Sequence, residues 1–457
     1  MSLTSLIRTE CGKDVKKIGF FGFGISNRKI AELLISETAP FKFTYRSSRV
    51  EKDIPTRLFG SRCRIGEAAY TDITEDVIFL SPSVRRPESF MLEAKRAGCR
   101  LLSDAELFFL TKPKGVIAIT GSDGKSTVTY LTARLTEASL GAVPSGNFGL
   151  PLTTLIGNKK SRGAVVELSS FQLQYMAPHT DRALITNITE NHLNWHSSLE
   201  EYIEAKKNIF KNSKKRAITL DGEMCEAIAK ELMPEIIISD LYTARQIAKL
   251  YAPELILTLE NGYINVNGTP YISLDDIRLK ETYNVKNFMS AIAMSWGLTD
   301  RDSVLALARD FHGLPHRKEL VAERGGISFI NSSIDSTPTR TAKTLSTLDT
   351  PAIVIIGGAS KGLSYEPLIA ALKEHARAIV LTGASAPTLY QLLSEIENFE
   401  PSIYLEADFY RAVELSVRIA KPTDTVILSP AHTSYDCFEN FEARGNCFKE
   451  IIKNIIE

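Results

Sequence analysis

The sequence predicts an α/β protein made of three successive units, each with a mostly parallel sheet. Three observations carry that prediction. Short apolar runs recur along the chain, each followed by small or Gly-rich residues and then a helical pattern, the signature of βαβ units. One of these runs ends in a glycine loop with a lysine and opens a helix. A length of 457 residues suffices for about three domains of roughly 100–200 residues. The expected boundaries are 1–112, 113–312 and 313–457.

In the first unit, Ile18–Phe21 reads as a strand, Gly22-Phe23-Gly24 as a turn, and Ile30, Leu33 and Leu34 as one face of a helix. Further strands are expected at 41–45, 77–80 and 100–102. The glycine pattern is G-x-G-x-x-N, with Asn27 where a dinucleotide fingerprint wants a third glycine. Alone, that pattern also fits a tight turn without a ligand. The second unit opens with the strand Val116–Thr120, after Lys112-Pro113-Lys114. The third begins at the Gly313-Leu314-Pro315 turn, an expected hinge, and holds strands at 352–356, 378–382 and 424–428.

Composition narrows the function. Lys plus Arg and Asp plus Glu both number 54, so the net charge is zero. A nucleic-acid binder, which must neutralise many phosphates, is not expected. Cys11, Cys63, Cys99, Cys225, Cys437 and Cys447 are scattered without a CxxC pair and read as reduced cytosolic thiols. No signal peptide and no apolar run of the roughly 20 residues that cross a bilayer is visible. The expectation is a soluble cytoplasmic protein without membrane insertion.

The sharpest feature is Val116-Ile-Ala-Ile-Thr120-Gly121-Ser122-Asp123-Gly124-Lys125-Ser126-Thr127. A buried strand, a glycine loop and a helix running to about Gly141 make an anion cradle from backbone N–H groups and the helix N-terminus. Lys125 can reach β- and γ-phosphates, and the Ser126 hydroxyl can bind Mg²⁺. Ile119 stands where the full Walker spacing has glycine, so this is a shortened G-x-x-G-K-S-T loop.

Two further strands of this unit end in polar groups. Ala164–Val166 runs into Glu167, and Ala183–Ile188 runs into Thr189-Glu190-Asn191-His192. Ligands in open parallel sheets lie at the carboxyl ends of the strands, which brings Glu167 and His192 toward the loop. There they suit a second Mg²⁺ site. A helix cap and a loop imidazole are the plainer readings. Lys206 shares a helical face with Tyr202, Ile203, Ile209 and Phe210, while Lys207 points elsewhere. Such a lysine either snorkels to the edge or is a buried amine with a lowered pKa.

Taken together these motifs resemble the Mur ligase family over nearly the whole chain. Gly121–Thr127 is similar to its GTNGKST loop, with Asp123 for Asn. Gly146-Asn147-Phe148-Gly149-Leu150-Pro151 is similar to its GN(I/F)GxP turn. Glu167-Leu-Ser-Ser-Phe-Gln-Leu173 resembles the ELSSFQL run of the D-glutamate-adding branch. Leu314-Pro-His-Arg317 resembles LPHR, and Leu428 through Gly445 resembles LSPAxxSxDxFxNFExRG. Ser81-Pro82-Ser83 and Ser103-Asp104-Ala105-Glu106-Leu107 resemble the SPG…DxEL stretch of the same branch.

The resemblance implies a Rossmann-like first domain, a P-loop ATPase-like central domain and a Rossmann-like last domain. It implies an ATP-dependent amide-bond ligase joining UDP-N-acetylmuramoyl-L-alanine to D-glutamate through an acyl phosphate, in peptidoglycan precursor synthesis, as a monomer. Gly24, Ile25 and Ser26 would hold the diphosphate, with Thr44, Tyr45 and Arg46 near the uracil. ATP would lie on Gly121, Ser122, Asp123, Gly124, Lys125, Ser126 and Thr127, with Asn287, Arg317 and Ser332 on the nucleoside. Mg²⁺, expected as two ions, would lie by Ser126, Glu167, His192 and a carbamylated Lys206. Asn147, Ser169 and Gln172 would meet substrate. Ser336, Lys361, Ser434 and the backbone of Phe441 would hold the D-glutamate carboxylates.

Some positions depart from the family pattern. Ser332 stands where an Asp meets the ATP ribose, and Ile334 where a Lys is usual; Asp335 is the nearest spatial substitute. Asn191 replaces an acidic residue, Tyr283 a histidine, and Thr44 the Asp that reads uracil. A ligase for another amino acid, or a nucleotide-binding paralogue without ligase activity, are the competing readings.

Overall fold

The computed structural model describes residues 2–48, 59, 62–82, 84–157, 162–189, 195–360 and 362–456. Ser83, Asn191, His192 and Lys361 lie outside the described residues. The chain forms two compact units, Met1–Phe311 and His312–Glu457. Among the described residues no helix is long and apolar enough to cross a membrane.

The first unit holds two sheets. β1 (Lys17–Phe21), β2 (Lys42–Ser47), β3 (Cys63–Ile65), β4 (Val77–Leu80) and β5 (Arg100–Leu102) form a parallel sheet in the order β3-β2-β1-β4-β5. That is the Rossmann strand order without its sixth strand. Side chains alternate between its faces, and β1 and β2 pair Lys17 with Lys42, Gly19 with Thr44 and Phe21 with Arg46. On one face Phe20, Phe43, Tyr45, Phe59 and Phe79 pack against the helices Leu3–Cys11 and Ile25–Ser36. Asn27 is fully buried, and its amide donates to the carbonyls of Gly22 (2.7 Å) and Phe79 (3.1 Å). It ties the ends of β1 and β4 together, which is why an amide occupies the place of a third glycine.

The second sheet comprises β6 (Val116–Thr120), β7 (Pro144–Gly146), β8 (Ala164–Glu167), β9 (His179–Ile185), β10 (Asn212–Thr219), β11 (Ile236–Ser239), β12 (Leu255–Glu260), β13 (Tyr263–Val266) and β14 (Thr269–Ser273). Their order is β14-β13-β12-β11-β10-β9-β6-β8-β7, parallel except at the last hairpins. β6 is wholly buried and central, so its apolar run carries no alternation. β9 begins at His179, earlier than the apolar run suggested, because its first residues are polar and still pair with β10.

The second unit is built on β15 (Glu319–Arg324), β16 (Ile327–Asn331), β17 (Ala352–Gly357), β18 (Ala376–Thr382), β19 (Ser402–Leu405) and β20 (Thr425–Leu428), ordered β15-β16-β20-β17-β18-β19. Only β15 is antiparallel. The helix Phe441–Ile456 buries Phe448, Ile451 and Ile452 against one face.

Candidate functional site

β6 lies between β8 and β9, and the chain crosses from one side of β6 to the other between those two strands, so the loops after these three strands converge at one crevice. The loop after β6 turns through Gly121 (φ +152°) and Gly124 (φ +78°) into the helix Lys125–Leu140. No side chain caps that helix, which leaves its first N–H groups for an anion. A side chain at Gly124 would collide with Asn287, the place for its Cβ lying 2.3 Å from Asn287 Oδ1. Asn287, from the helix Thr282–Ser295, therefore stands directly on the loop.

Residues from the β9 loop hold the phosphate loop in shape. Asn187 Oδ1 accepts from the backbone N–H of Ser122 (3.1 Å) and of Asp123 (2.8 Å), and Thr186 donates to the Asp123 carbonyl at 2.7 Å. The Tyr202 hydroxyl lies 2.8 Å from Ser122 Oγ. Sequence reasoning missed Asn187 and Thr186. Their position right after a buried parallel strand was the available signal.

Two lysines meet on this loop. Lys125 Nζ donates to the carbonyls of Gly121 (2.9 Å) and Ser122 (2.8 Å), and Lys206 Nζ to Gly121 at 2.6 Å. Lys206 is 1% exposed, so it does not snorkel. Burial, and after it the charge of Lys125, push its pKa well below the usual lysine range, against the pull of Glu167 and Asp123. Lys207 turns away to Glu204 and Glu231.

Glu167 ends β8 beside this group and is 2% exposed. Oε1 accepts from Asn147 Nδ2 at 2.9 Å, whereas Oε2 is buried with no hydrogen-bond partner among the described residues. A buried, half-satisfied carboxylate is costly unless a cation completes it. Ser126, also buried, opens the helix. Among the described residues no three His, Cys, Asp or Glu side chains gather as a metal cluster. The donors present are one carboxylate oxygen, one hydroxyl and a neutral-prone amine, a set that suits a hard cation only if that amine becomes anionic.

Ser169 and Gln172 form a capping box with each other at the helix Ser170–Leu173. The S-x-x-Q spacing was the signal for this, and it leaves Gln172 buried.

In the first sheet, Gly24 caps the helix Ile25–Ser36 without a side chain, and Gly24 and Ile25 are exposed. That open helix start leaves its first N–H groups uncapped by a side chain. Of Thr44, Tyr45 and Arg46, expected near the uracil, Tyr45 and Arg46 are buried and Thr44 is partly exposed. Tyr45 is fully buried in the aromatic core. Arg46 is fully buried too, and all its N–H groups are taken: by both oxygens of Glu75 and by the carbonyls of Ala69, Thr71 and Asp72. Thr44 donates to Glu75 at 2.6 Å. Their partners lie some 30 residues on in sequence, beyond the reach of a local pattern.

In the second unit the turns after β16, β17 and β20 meet around Arg444. Its guanidinium donates to Ser333 Oγ (3.0 Å) and to the carbonyls of Ser333 (3.0 Å), His432 (3.1 Å) and Gly357 (3.4 Å). Burial lowers its pKa to about 10, opposed by Asp436 and Asp335. Ser333 in turn donates to the Phe441 carbonyl at 2.8 Å. Ser336 and Ser434 lie on two of these turns, and Phe441 opens the last helix. Ser332 is 1% exposed, and its hydroxyl accepts from Lys318 N at 3.1 Å. Asp335 is likewise committed, to Thr344 and Ser429. Arg317 is exposed beside that turn.

A buried strand, a glycine loop and a helix start that gathers two lysines define a phosphate-loop protein. Residues 119–295 match the Mur ligase middle domain, and residues 316–432 match the Mur ligase glutamate ligase domain. The chain belongs to the Mur ligase family. It is 33% identical to the UDP-N-acetylmuramoylalanine–D-glutamate ligase of Ruminiclostridium cellulolyticum, covering 97% of this chain and 98% of that one. The ligase of the same name from Acetivibrio thermocellus is also 33% identical, over 96% and 97% of the two chains. The fold is similar to that of the UDP-N-acetylmuramate-alanine ligase of Thermotoga maritima, with a TM-score of 0.53 at 20% identity, covering 96% of this chain and 99% of that structure.

Proposed function

We propose that this chain is the ATP-dependent ligase that joins UDP-N-acetylmuramoyl-L-alanine to D-glutamate in peptidoglycan precursor synthesis. The observation that carries the reading is one-third identity to ligases of that name over almost the full length of both chains. The geometry at β6 supports it. ATP is a substrate here: the alanine carboxylate takes the γ-phosphoryl group, ADP leaves, and the D-glutamate amine then displaces phosphate from the acyl phosphate.

Each residue has a task in this scheme. The N–H groups of Gly121 to Thr127 cradle the phosphates, and Lys125 shifts from its loop carbonyls to the β- and γ-oxygens. Asn287, next to Gly124, meets the nucleotide, with Arg317. Ser126, Glu167 and Lys206, with His192, would hold Mg²⁺ as two ions; the unsatisfied Glu167 Oε2 supports this. Mg²⁺ supplies neutralising charge at the transferring phosphoryl oxygens. A neutral Lys206 amine can take up CO₂ and become a carbamate, which would turn a buried base into the missing anion. Asn147 orients Glu167.

Gly24, Ile25 and Ser26 take the diphosphate at their open helix start. Ser336, Ser434 and the Phe441 backbone, on the turns around Arg444, take the D-glutamate carboxylates together with Lys361 through charge-assisted hydrogen bonds. The reading includes a monomer acting in the cytoplasm, with domains at 1–112, 113–312 and 313–457; six free cysteines support that compartment. The test is phosphate release from ATP. Release that needs both UDP-N-acetylmuramoyl-L-alanine and D-glutamate supports the ligase, and release indifferent to D-glutamate overturns the substrate.

A further inference from the structure

Pairing along β1 and β2 puts Lys17, Gly19, Lys42 and Thr44 on one face of the first sheet, toward the amino ends of its strands. The turn with Gly24 lies at the other end, after β1. Here the sheet bears a cavity of about 330 Å³. Beside it Gly19 is packed closely: a Cβ there would stand 3.0 Å from Ile78 Cγ1 and 3.2 Å from both Thr44 Oγ1 and Glu75 Cγ. Lys17, Lys42, Arg62 and Arg64 line the cavity with Thr44 and Glu75.

Among the described residues the charge balance of the cavity is positive. Its carboxylate, Glu75, is 3% exposed and held in a 2.8 Å ion pair with the fully buried Arg46, so the two cancel. Arg64 meets Asp72 only at 3.9 Å, with both side chains exposed, a pairing that water and salt largely screen. Asp76 accepts from the backbone N–H groups of Lys16 and Lys17 and keeps its charge, which reduces the positive balance without reversing it. Arg62 is braced by its Nε, which donates to the Phe59 carbonyl at 3.1 Å. Lys17, Lys42 and Arg64 on a concave wall focus a positive field, and arginine suits the paired oxygens of phosphate.

We propose that this cavity is an anion site for a diphosphate group, separate from the phosphate loop of β6 and from the open helix start at Gly24. Its size suits a compact ligand, and the chemistry fits inorganic pyrophosphate or the diphosphate of a nucleotide.

The probe is pyrophosphate binding by titration calorimetry without Mg²⁺, with ADP and UDP as parallel arms. Lys125→Ala removes the loop lysine, and the pair Lys42→Ser with Arg64→Ser removes two cavity cations, both at the surface. Lys125→Ala should still bind pyrophosphate, and adding the pair should weaken that binding at least tenfold. An ADP or UDP affinity that falls by the same factor identifies a nucleotide as the occupant, and an effect confined to pyrophosphate identifies the inorganic ion. Binding abolished by Lys125→Ala alone, or indifferent to the cavity pair with all three probes, overturns the site.

Discussion

Lys206 and Gly121 meet deep in the first unit, where the lysine Nζ donates to the glycine carbonyl at 2.6 Å. An ammonium in that position has Lys125 as its neighbour and almost no water, so the neutral amine is favoured. The same burial makes the group reactive and makes it costly.

The cost has a sign that can be measured. Folding holds Lys206 below its usual pKa of 10.5, so over a range below 10.5 the unfolded chain binds a proton that the folded chain does not. Stability due to this residue therefore rises with pH. Lys206→Met lacks the penalty, and its stability relative to wild type should fall as pH rises toward 10.5, by about 1.4 kcal/mol per unit within that window. Urea midpoints in bicarbonate-free buffer at pH 8 and pH 10 check this; a constant gap sinks it. The variant should also lose phosphate release by about 100-fold or more, with partial return on adding a short carboxylic acid.

Glu167 offers a cleaner separation of charge from shape. Gln in its place keeps an oxygen for Asn147 Nδ2 and removes the anion whose second oxygen is buried without a partner. Glu167→Gln should fold with an unchanged or higher melting temperature, since a half-satisfied buried carboxylate is lost. Its Mg²⁺ half-saturation should rise by about tenfold or more, and turnover should fall by about 100-fold. Activity assayed across Mg²⁺ concentrations decides it: an unshifted midpoint removes Glu167 from the metal site.

Local order explains what the sequence could tell. The buried run Val116–Thr120 and the G-x-x-G-K-S-T loop are contiguous, and helix periodicity alone placed Lys206 on the apolar face with Tyr202 and Ile209. Long-range pairings were hidden. Asn187 shapes a loop 65 residues away, Arg444 gathers turns up to 111 residues away, and Glu75 claims Thr44 and Arg46 across the sheet. Motif position suggested a uracil contact for Arg46. Burial, and a partner for every N–H, assign it to the core.

That pair yields a third expectation. Burial alone would raise the Glu75 pKa, but hydrogen bonds from Arg46 and Thr44 and the Arg46 charge outweigh it and hold the carboxyl below its usual range. The resulting stability is present above the ordinary carboxylate range and is lost as pH falls through the lower folded value. Arg46→Met strands a buried carboxylate and should cost about 3–5 kcal/mol, whereas adding Glu75→Leu should recover most of it. Chemical denaturation of the three variants at pH 7 measures both. A double variant no more stable than Arg46→Met would mean that the carbonyls of residues 69–72, not Glu75, are what Arg46 serves.

Gly124 is the tightest point between the phosphate loop and the helix that carries Asn287. Its φ of +78° costs a residue with a Cβ about 1–2 kcal/mol, and that Cβ would stand 2.3 Å from Asn287 Oδ1. Gly124→Ala must therefore push Asn287 aside or reshape the loop, and ATP affinity should fall about tenfold or more while the melting temperature drops by a few degrees. The two causes separate in a double variant. Asn287→Ala removes the colliding oxygen, so if collision dominates, Gly124→Ala should cost far less affinity in that background than in wild type. If backbone strain dominates, the cost should be the same in both. Binding of a fluorescent ATP analogue to the four proteins of this cycle distinguishes them, and full affinity in Gly124→Ala itself would mean that the loop contact with Asn287 does not shape the nucleotide site.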